Sequence, residues 1–387
     1  MSDDYDKIIV IFGGKMCASN ASVTSGGKTR QSGIELLRII AILAIIVYHL
    51  GAYTGFMFPT DGTARQMFFS GLSCFGKFGV AIFFLITGYF LCARKTAPQP
   101  KKVWPIIRLA LFYLLVSIVI AIIFLPERLQ ISFPPKELFS AFLSSFIDGD
   151  YWFIGAYVLL MVISPYVKKM LDALSDREVT RLCLIISLLS VLCGDLLRLA
   201  QISQNGLSNF SFPTALIYAL IGYTIRRREK EIRSTGWAWL ALVAGIAFIM
   251  ISPVVTELYS AHNMSSVFGV FRNEQSIGTM LASVGCFIIF SRMKWSNKIV
   301  NYIASLTLGV YLIHNNTVII TLTAWAGNNA VRLMDILNNR SFPRACATIA
   351  TFTIEIFVLC CVVEVLRRLA VRGIVKICTI EKRPEQQ

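Results

Sequence analysis

The run Glu35–Leu50, ELLRIIAILAIIVYHL, decides how this chain is read. It lies within the apolar stretch Ile34–Gly55, and a bilayer-crossing helix needs about 20 such residues. Yet the run holds Glu35, Arg38 and His49. Ionisable groups inside a membrane helix are costly and face a partner or a cavity. His49 follows Arg38 by eleven positions. At about 100° per residue the two side chains fall within roughly 20° of one another, roughly 16 Å apart along the axis. Glu35 lies about 40° from the His49 direction by the same geometry. One face therefore carries a cation near its start and a titratable imidazole near its far end. Two readings fit: a snorkelling Arg38 with a satisfied buried His49, or a functional face.

The rest of the chain agrees with a membrane setting. Its 387 residues are 56% hydrophobic and 15% charged, with mean hydropathy +0.66. That composition belongs to an all-α polytopic membrane protein, not to a soluble domain with one anchor. The net charge of +15 invites a nucleic-acid reading. The basic residues, however, cluster in short loops between apolar runs, as the positive-inside rule requires, so nucleic acid is not expected as a partner. The ten cysteines form no Cys-x-x-Cys or Cys/His pattern, so neither a disulfide framework nor a metal site is expected. Cysteine in an apolar run acts as a small hydrophobe.

In chain order, residues 1–33 read as a disordered cytoplasmic tail. Its start is acidic where a signal peptide needs basic residues. Ser25-Gly26-Gly27-Lys28-Thr29 echoes a phosphate loop, but Ser22 stands where the motif needs glycine. About ten transmembrane helices follow, near 34–55, 72–92, 104–125, 151–167, 182–200, 210–225, 236–258, 274–291, 301–325 and 345–366. Residues 34–370 form one membrane domain, and 371–387 a basic cytoplasmic tail. An even count puts both termini in the cytoplasm. It also places the basic groups Arg94/Lys95/Lys101/Lys102, Arg226/Arg227/Arg228 and Arg367/Arg368/Arg372 inside, and a frame error of one span would invert that pattern. The loop 126–150 contains an amphipathic stretch, Leu138–Ile147, suited to the outer interface. No internal repeat is visible.

Four local patterns then combine. Arg38 precedes His49 by ten intervening residues. Phe83-Phe84-Leu85-Ile86-Thr87-Gly88-Tyr89 follows. Tyr151-Trp152-Phe153 opens a later span after an acidic loop, and Ser305–His314 reads SLTLGVYLIH. In this order and spacing the chain resembles the membrane acyltransferase-3 family from about residue 30 to 370. Thr87 replaces the serine usual in the second pattern but keeps the hydroxyl.

The resemblance implies transfer of an acyl group, usually acetyl, from cytoplasmic acyl-CoA (acetyl-CoA as donor substrate) to a hydroxyl. The expected acceptor is a carbohydrate: a surface polysaccharide or a lipid-linked glycan precursor. The family's histidine carries over onto His49 and its arginine onto Arg38, and the expected location is the inner (cytoplasmic) membrane, surrounded by membrane lipids. The chemistry is compatible with these residues. A neutral imidazole can act as general base toward a hydroxyl. The span between Arg38 and His49 is comparable to a pantetheine arm. Arg38 with Arg94, Lys95, Lys101, Lys102 and Arg108 is then expected to hold the CoA phosphates, since guanidinium matches phosphate in a two-pronged fork. The same cluster is also what an ordinary cytoplasmic loop contains.

Other candidates are weaker. Glu35 pairs most simply with Arg38 as an i,i+3 ion pair. His314, Asn315 and Asn316 together at membrane depth suggest either a wet cavity or interhelical hydrogen bonding. Glu355 lies deep in the last span without a local partner. Lys77, Thr87, Tyr89, Asp150 and Trp152 are candidates for the acceptor side or the cavity, although aromatic residues there also fit the interfacial belt. Asp195 is expected to pair with Arg198, and Glu364 with Arg367 or Arg368. The competing classes are a secondary transporter, with Ser164-Pro165 and Ser252-Pro253 as candidate helix breaks, and a membrane sensor that binds a small ligand without chemistry.

Overall fold

The computed structural model describes residues 31–58, 62–94, 100–124, 144–147, 149–196, 199–200, 211–260, 270–322 and 328–380. Among these no residue lies in a strand. The helices are α1 (Ser32–Thr54), α2 (Ala64–Ser73), α3 (Phe75–Cys92), α4 (Trp104–Phe124), α5 (Trp152–Ala173), α6 (Asp176–Val191), α7 (Ser211–Arg227), α8 (Gly236–Ser260), α9 (Ile277–Ser291), α10 (Lys298–His314), α11 (Thr317–Leu322), α12 (Asn328–Asn339) and α13 (Phe342–Ile380). A π-helical turn, Leu192–Leu196, prolongs α6. The N-terminal tail, Lys95, Asp148, Arg198 and most of the loop 126–150 lie outside the described residues.

Among the described residues, seven helical stretches are long and apolar enough to cross a membrane. The ten expected spans all coincide with helical segments, but α7, α9 and α10 are shorter, at 17, 15 and 17 residues. The two prolines proposed as breaks do not interrupt their helices. α5 continues through Pro165 and α8 through Pro253. Proline costs a helix one backbone bond, and at Pro165 a hydroxyl serves the freed carbonyl: Ser164 donates to Met161 O. The break falls instead at Asn315–Asn316, between α10 and α11.

α3 is the centre. In the stretch Ala64–Cys92, 78% of the most apolar window is buried, against 22% for Phe342–Gly373 at the periphery. α3 packs along α7 and α1, and α8 packs along α9. Close approach depends on glycine: a Cβ on Gly88 would strike Ala219 O, and one on Gly222 would strike Leu85 O. Small residues let backbones touch where lipid supplies no hydrophobic drive between helices. On the outer helices, Leu115, Ile118, Val119, Ile122 and Ile123 of α4 and Val358, Leu359 and Leu366 of α13 point outward, as a lipid-facing surface requires.

α1 and α10 run side by side in the same direction. Ser32 Oγ donates to Asn301 Oδ1 at 2.8 Å at one end, and His49 meets His314 at the other. α13 runs the opposite way, with Ile349 near Leu50 and Arg368 on Ser305. These three helices, with α3, α4 and α5, enclose the site. Its two ends are named here the Ser32 end and the His49 end.

Candidate active site

The sequence places a histidine near the end of α1 and another as the last residue of α10. The parallel pairing of the helices brings them together, His49 Nδ1 to His314 Nε2 at 2.9 Å. His314 Nδ1 lies 2.7 Å from Val310 O. A carbonyl only accepts, so His314 Nδ1 carries the proton and, in the neutral ring, its Nε2 is an acceptor. His49 Nδ1 must then donate to it. The lone pair of His49 is left on Nε2, the nitrogen not engaged by His314. Two neutral imidazoles in series, anchored on one backbone carbonyl, fix which nitrogen of His49 can take a proton. His314 is buried and His49 half-buried. Of the two sequence readings for His314, interhelical hydrogen bonding is the one seen, with His49 as the unforeseen partner.

Polar groups surround the pair at the His49 end. Tyr53 Oη donates to Asn315 Oδ1 at 3.0 Å, and Asn315 Nδ2 and Tyr311 Oη both donate to Asp150 O. Asn316 Nδ2 donates to Ser117 Oγ and Tyr151 Oη. The break after α10 thus uses its polar groups to tie α4, α5 and α10 together. Lys77 pairs with Glu274 and sits 5.1 Å from the Tyr48 ring and 5.9 Å from the Trp152 ring. Glu274 belongs to the 270–276 loop, which Asp195 holds. Asp195 accepts from the backbone N–H of Phe271 at 2.8 Å and of Ile277 at 2.7 Å.

A cavity of about 180 Å³ lies toward the Ser32 end. Arg38 and Arg368 line it together with Thr87, Ser305, Phe153, Tyr157, Gly309 and Tyr311. Ile45 lines it one helical turn before His49, and the Tyr311 ring centre is 6.1 Å from that of His314. The cavity is walled mostly by apolar side chains, with its cations on Arg38 and Arg368.

The structure therefore joins some sequence candidates and separates others. His49, His314 and Asn315 share one end with Lys77, Asp150 and Trp152. Arg38 and Thr87 line the cavity, and Glu35 pairs with Arg38 at 3.2 Å. Arg94 and Lys101 are exposed, Arg108 is half-buried, and none of them lines the cavity. Lys95 lies outside the described residues, as does the side chain of Lys102. Tyr89 is far from the histidines: its hydroxyl accepts from Arg226 near the opposite end of α3. Glu355 is exposed on the outward side of α13. Among the described residues, no cluster of three or more His, Cys, Asp or Glu is placed to hold a metal.

Sequence reasoning missed Arg368 as a cavity residue. Its pairing with Glu364 was legible from i,i+4 spacing, but its reach across to Ser305, 63 positions away, left no local mark.

A helical bundle with an apolar outer surface, a histidine pair joining two of its helices and an apolar cavity lined by two arginines define an integral-membrane protein. The family model described as an acyltransferase domain (acyltransferase 3) matches residues 31–362, and the chain belongs to that family of membrane acyltransferases. No curated protein and no solved structure matches the chain.

Proposed function

We propose that the chain is an acyl-CoA-dependent O-acyltransferase, with acetyl-CoA as donor and a hydroxyl of a surface polysaccharide or its lipid-linked precursor as acceptor. The bundle crosses the inner membrane ten times, α7, α9 and α10 included. The Ser32 end and both termini face the cytoplasm, and the His49 end faces outward. The donor enters from the Ser32 end with its anionic part near Arg38, and its pantetheine arm lies along α1 in the apolar cavity. The acceptor approaches past Lys77, Trp152 and Asp150.

The observation that carries this reading is the proton chain Val310 O, His314, His49, which leaves one imidazole lone pair free on His49 Nε2, one helical turn beyond the cavity residue Ile45. The acceptor oxygen attacks the thioester carbonyl carbon while its proton passes to His49 Nε2. The tetrahedral oxyanion collapses, the C–S bond breaks, and the leaving thiolate takes the proton back from the imidazolium. No covalent enzyme intermediate is needed.

The test is transfer of labelled acetyl from acetyl-CoA by purified protein in nanodiscs to a crude lipid-linked glycan fraction, with His49→Ala run beside the wild type. Label on glycan is expected for the wild type, with a loss of about a hundredfold or more in the variant, the range of a general base. A folded His49→Ala protein with full activity would exclude His49 as base. A folded wild type that neither binds acetyl-CoA nor releases CoA would favour the transporter or sensor classes.

A further inference from the structure

Glu364 of α13 is fully buried, and three groups converge on it. Tyr113 Oη donates to it at 2.7 Å, Arg367 binds both its oxygens at 2.8 Å, and Arg368 Nε donates to it at 2.7 Å. Arg368 then crosses to α10, where Nη1 donates to Ser305 Oγ at 3.0 Å and Nη2 to Ser305 O at 2.7 Å. Gly309, one turn further on, has no side chain, and a Cβ there would lie 2.7 Å from the Glu364 carboxylate. The arrangement therefore depends on a glycine at that position.

Two consequences follow from the charges. One buried carboxylate faces two guanidinium groups, so this side of the cavity keeps an excess cation. Excess charge at membrane depth is costly unless something meets it. Arg368 also retains donors. Of its five N–H bonds, three are used by Glu364 and Ser305, and the residue lines the cavity that Arg38 lines. Its orientation is fixed before any ligand arrives, so little side-chain freedom remains to be lost on binding.

We infer that Arg368, aimed by Glu364 and Ser305, is a second anion-binding arginine of the cavity and, with Arg38, holds the phosphates of a nucleotide-bearing thioester donor. This rests on the acyl-CoA reading above and adds to it a residue beyond the family-matched region, which ends at 362. Glu364 is a positioning residue: it holds the arginine and touches no substrate.

The test compares two donors in nanodiscs, acetyl-CoA and S-acetyl-N-acetylcysteamine, a thioester without phosphates. Wild type is expected to prefer acetyl-CoA. In Arg368→Gln, kcat/KM for acetyl-CoA should fall about tenfold or more, as expected for losing a charge-assisted hydrogen bond. The fall should come mainly through KM, so the preference between donors narrows. Arg368→Lys keeps a charge but loses the fork. It should narrow the preference in the same direction and decides the matter if the Gln variant does not fold. An equal fall with both donors, or no fall with either, would overturn the assignment and leave Arg368 a structural tie. Wild-type transfer from neither thioester would overturn the acyl-CoA reading itself, a result distinct from either of those.

Discussion

At the scale of single residues, the site is a problem in tautomers. His49 is useful as a base only if its proton sits on Nδ1, and the structure gives one reason for it to sit there: the Nε2 acceptor of His314 at 2.9 Å. Removing that acceptor should lower kcat without weakening donor binding. We expect His314→Ala to lose about a hundredfold in kcat with the acetyl-CoA KM nearly unchanged. His314→Gln, whose amide oxygen can still accept from His49 Nδ1, should lose less. Steady-state kinetics of both folded variants check this, and equal full activity in the two would remove His314 from the proton chain. The lone pair of histidines was half legible. His49 stood out because it shared a face with Arg38. His314 stood out because three polar residues interrupted an apolar span. That they meet was not legible, since 265 positions separate them and no local periodicity encodes a contact at that range.

At the scale of elements, the loop 270–276 shows how a remote residue sets local geometry. Phe271 has φ +64, a conformation that non-glycine residues rarely adopt. Asp195, on the π-helical turn after α6, accepts from the backbone N–H groups on both sides of this loop. The loop in turn carries Glu274, which binds Lys77 beside Tyr48 and Trp152. We expect Asp195→Ala to cost about 1–3 kcal/mol, since it leaves two part-buried backbone donors unpaired. Asp195→Asn, which keeps one acceptor oxygen, should cost less. Thermal unfolding in detergent micelles measures the order, and an Asp195→Ala protein as stable as wild type would show that the loop needs no such tether. Sequence spacing suggested an i,i+3 pair with Arg198, which lies outside the described residues; these two bonds were not legible, because a carboxylate's nearest cation is visible in sequence and a distant backbone amide is not. Local ion pairs such as Glu35–Arg38 and Glu364–Arg368 were legible for the same reason.

At the scale of the molecule, alternation of basic loops and apolar runs predicts ten crossings, and seven stretches among the described residues meet the length and hydropathy of a full span. The other three were legible as apolar but not as short; α10, for one, stops at the Asn315–Asn316 break. If all ten cross, a fluorescent protein fused after residue 387 should fluoresce, and an alkaline phosphatase fused there should be inactive. The reverse pattern would require an odd number of crossings or an N-terminus on the outer side. The pairing of α1 with α10 carries one more consequence, for the order in which the enzyme is made. A ribosome completes α1 hundreds of residues before it completes α10, and contacts of such long sequence separation form late. The first helix can enter the membrane with its histidine in place, but that ring lacks the neighbour that holds its proton. On the proposed mechanism a truncated or half-inserted chain would be chemically silent, with reactivity expected only once the ninth predicted span arrives.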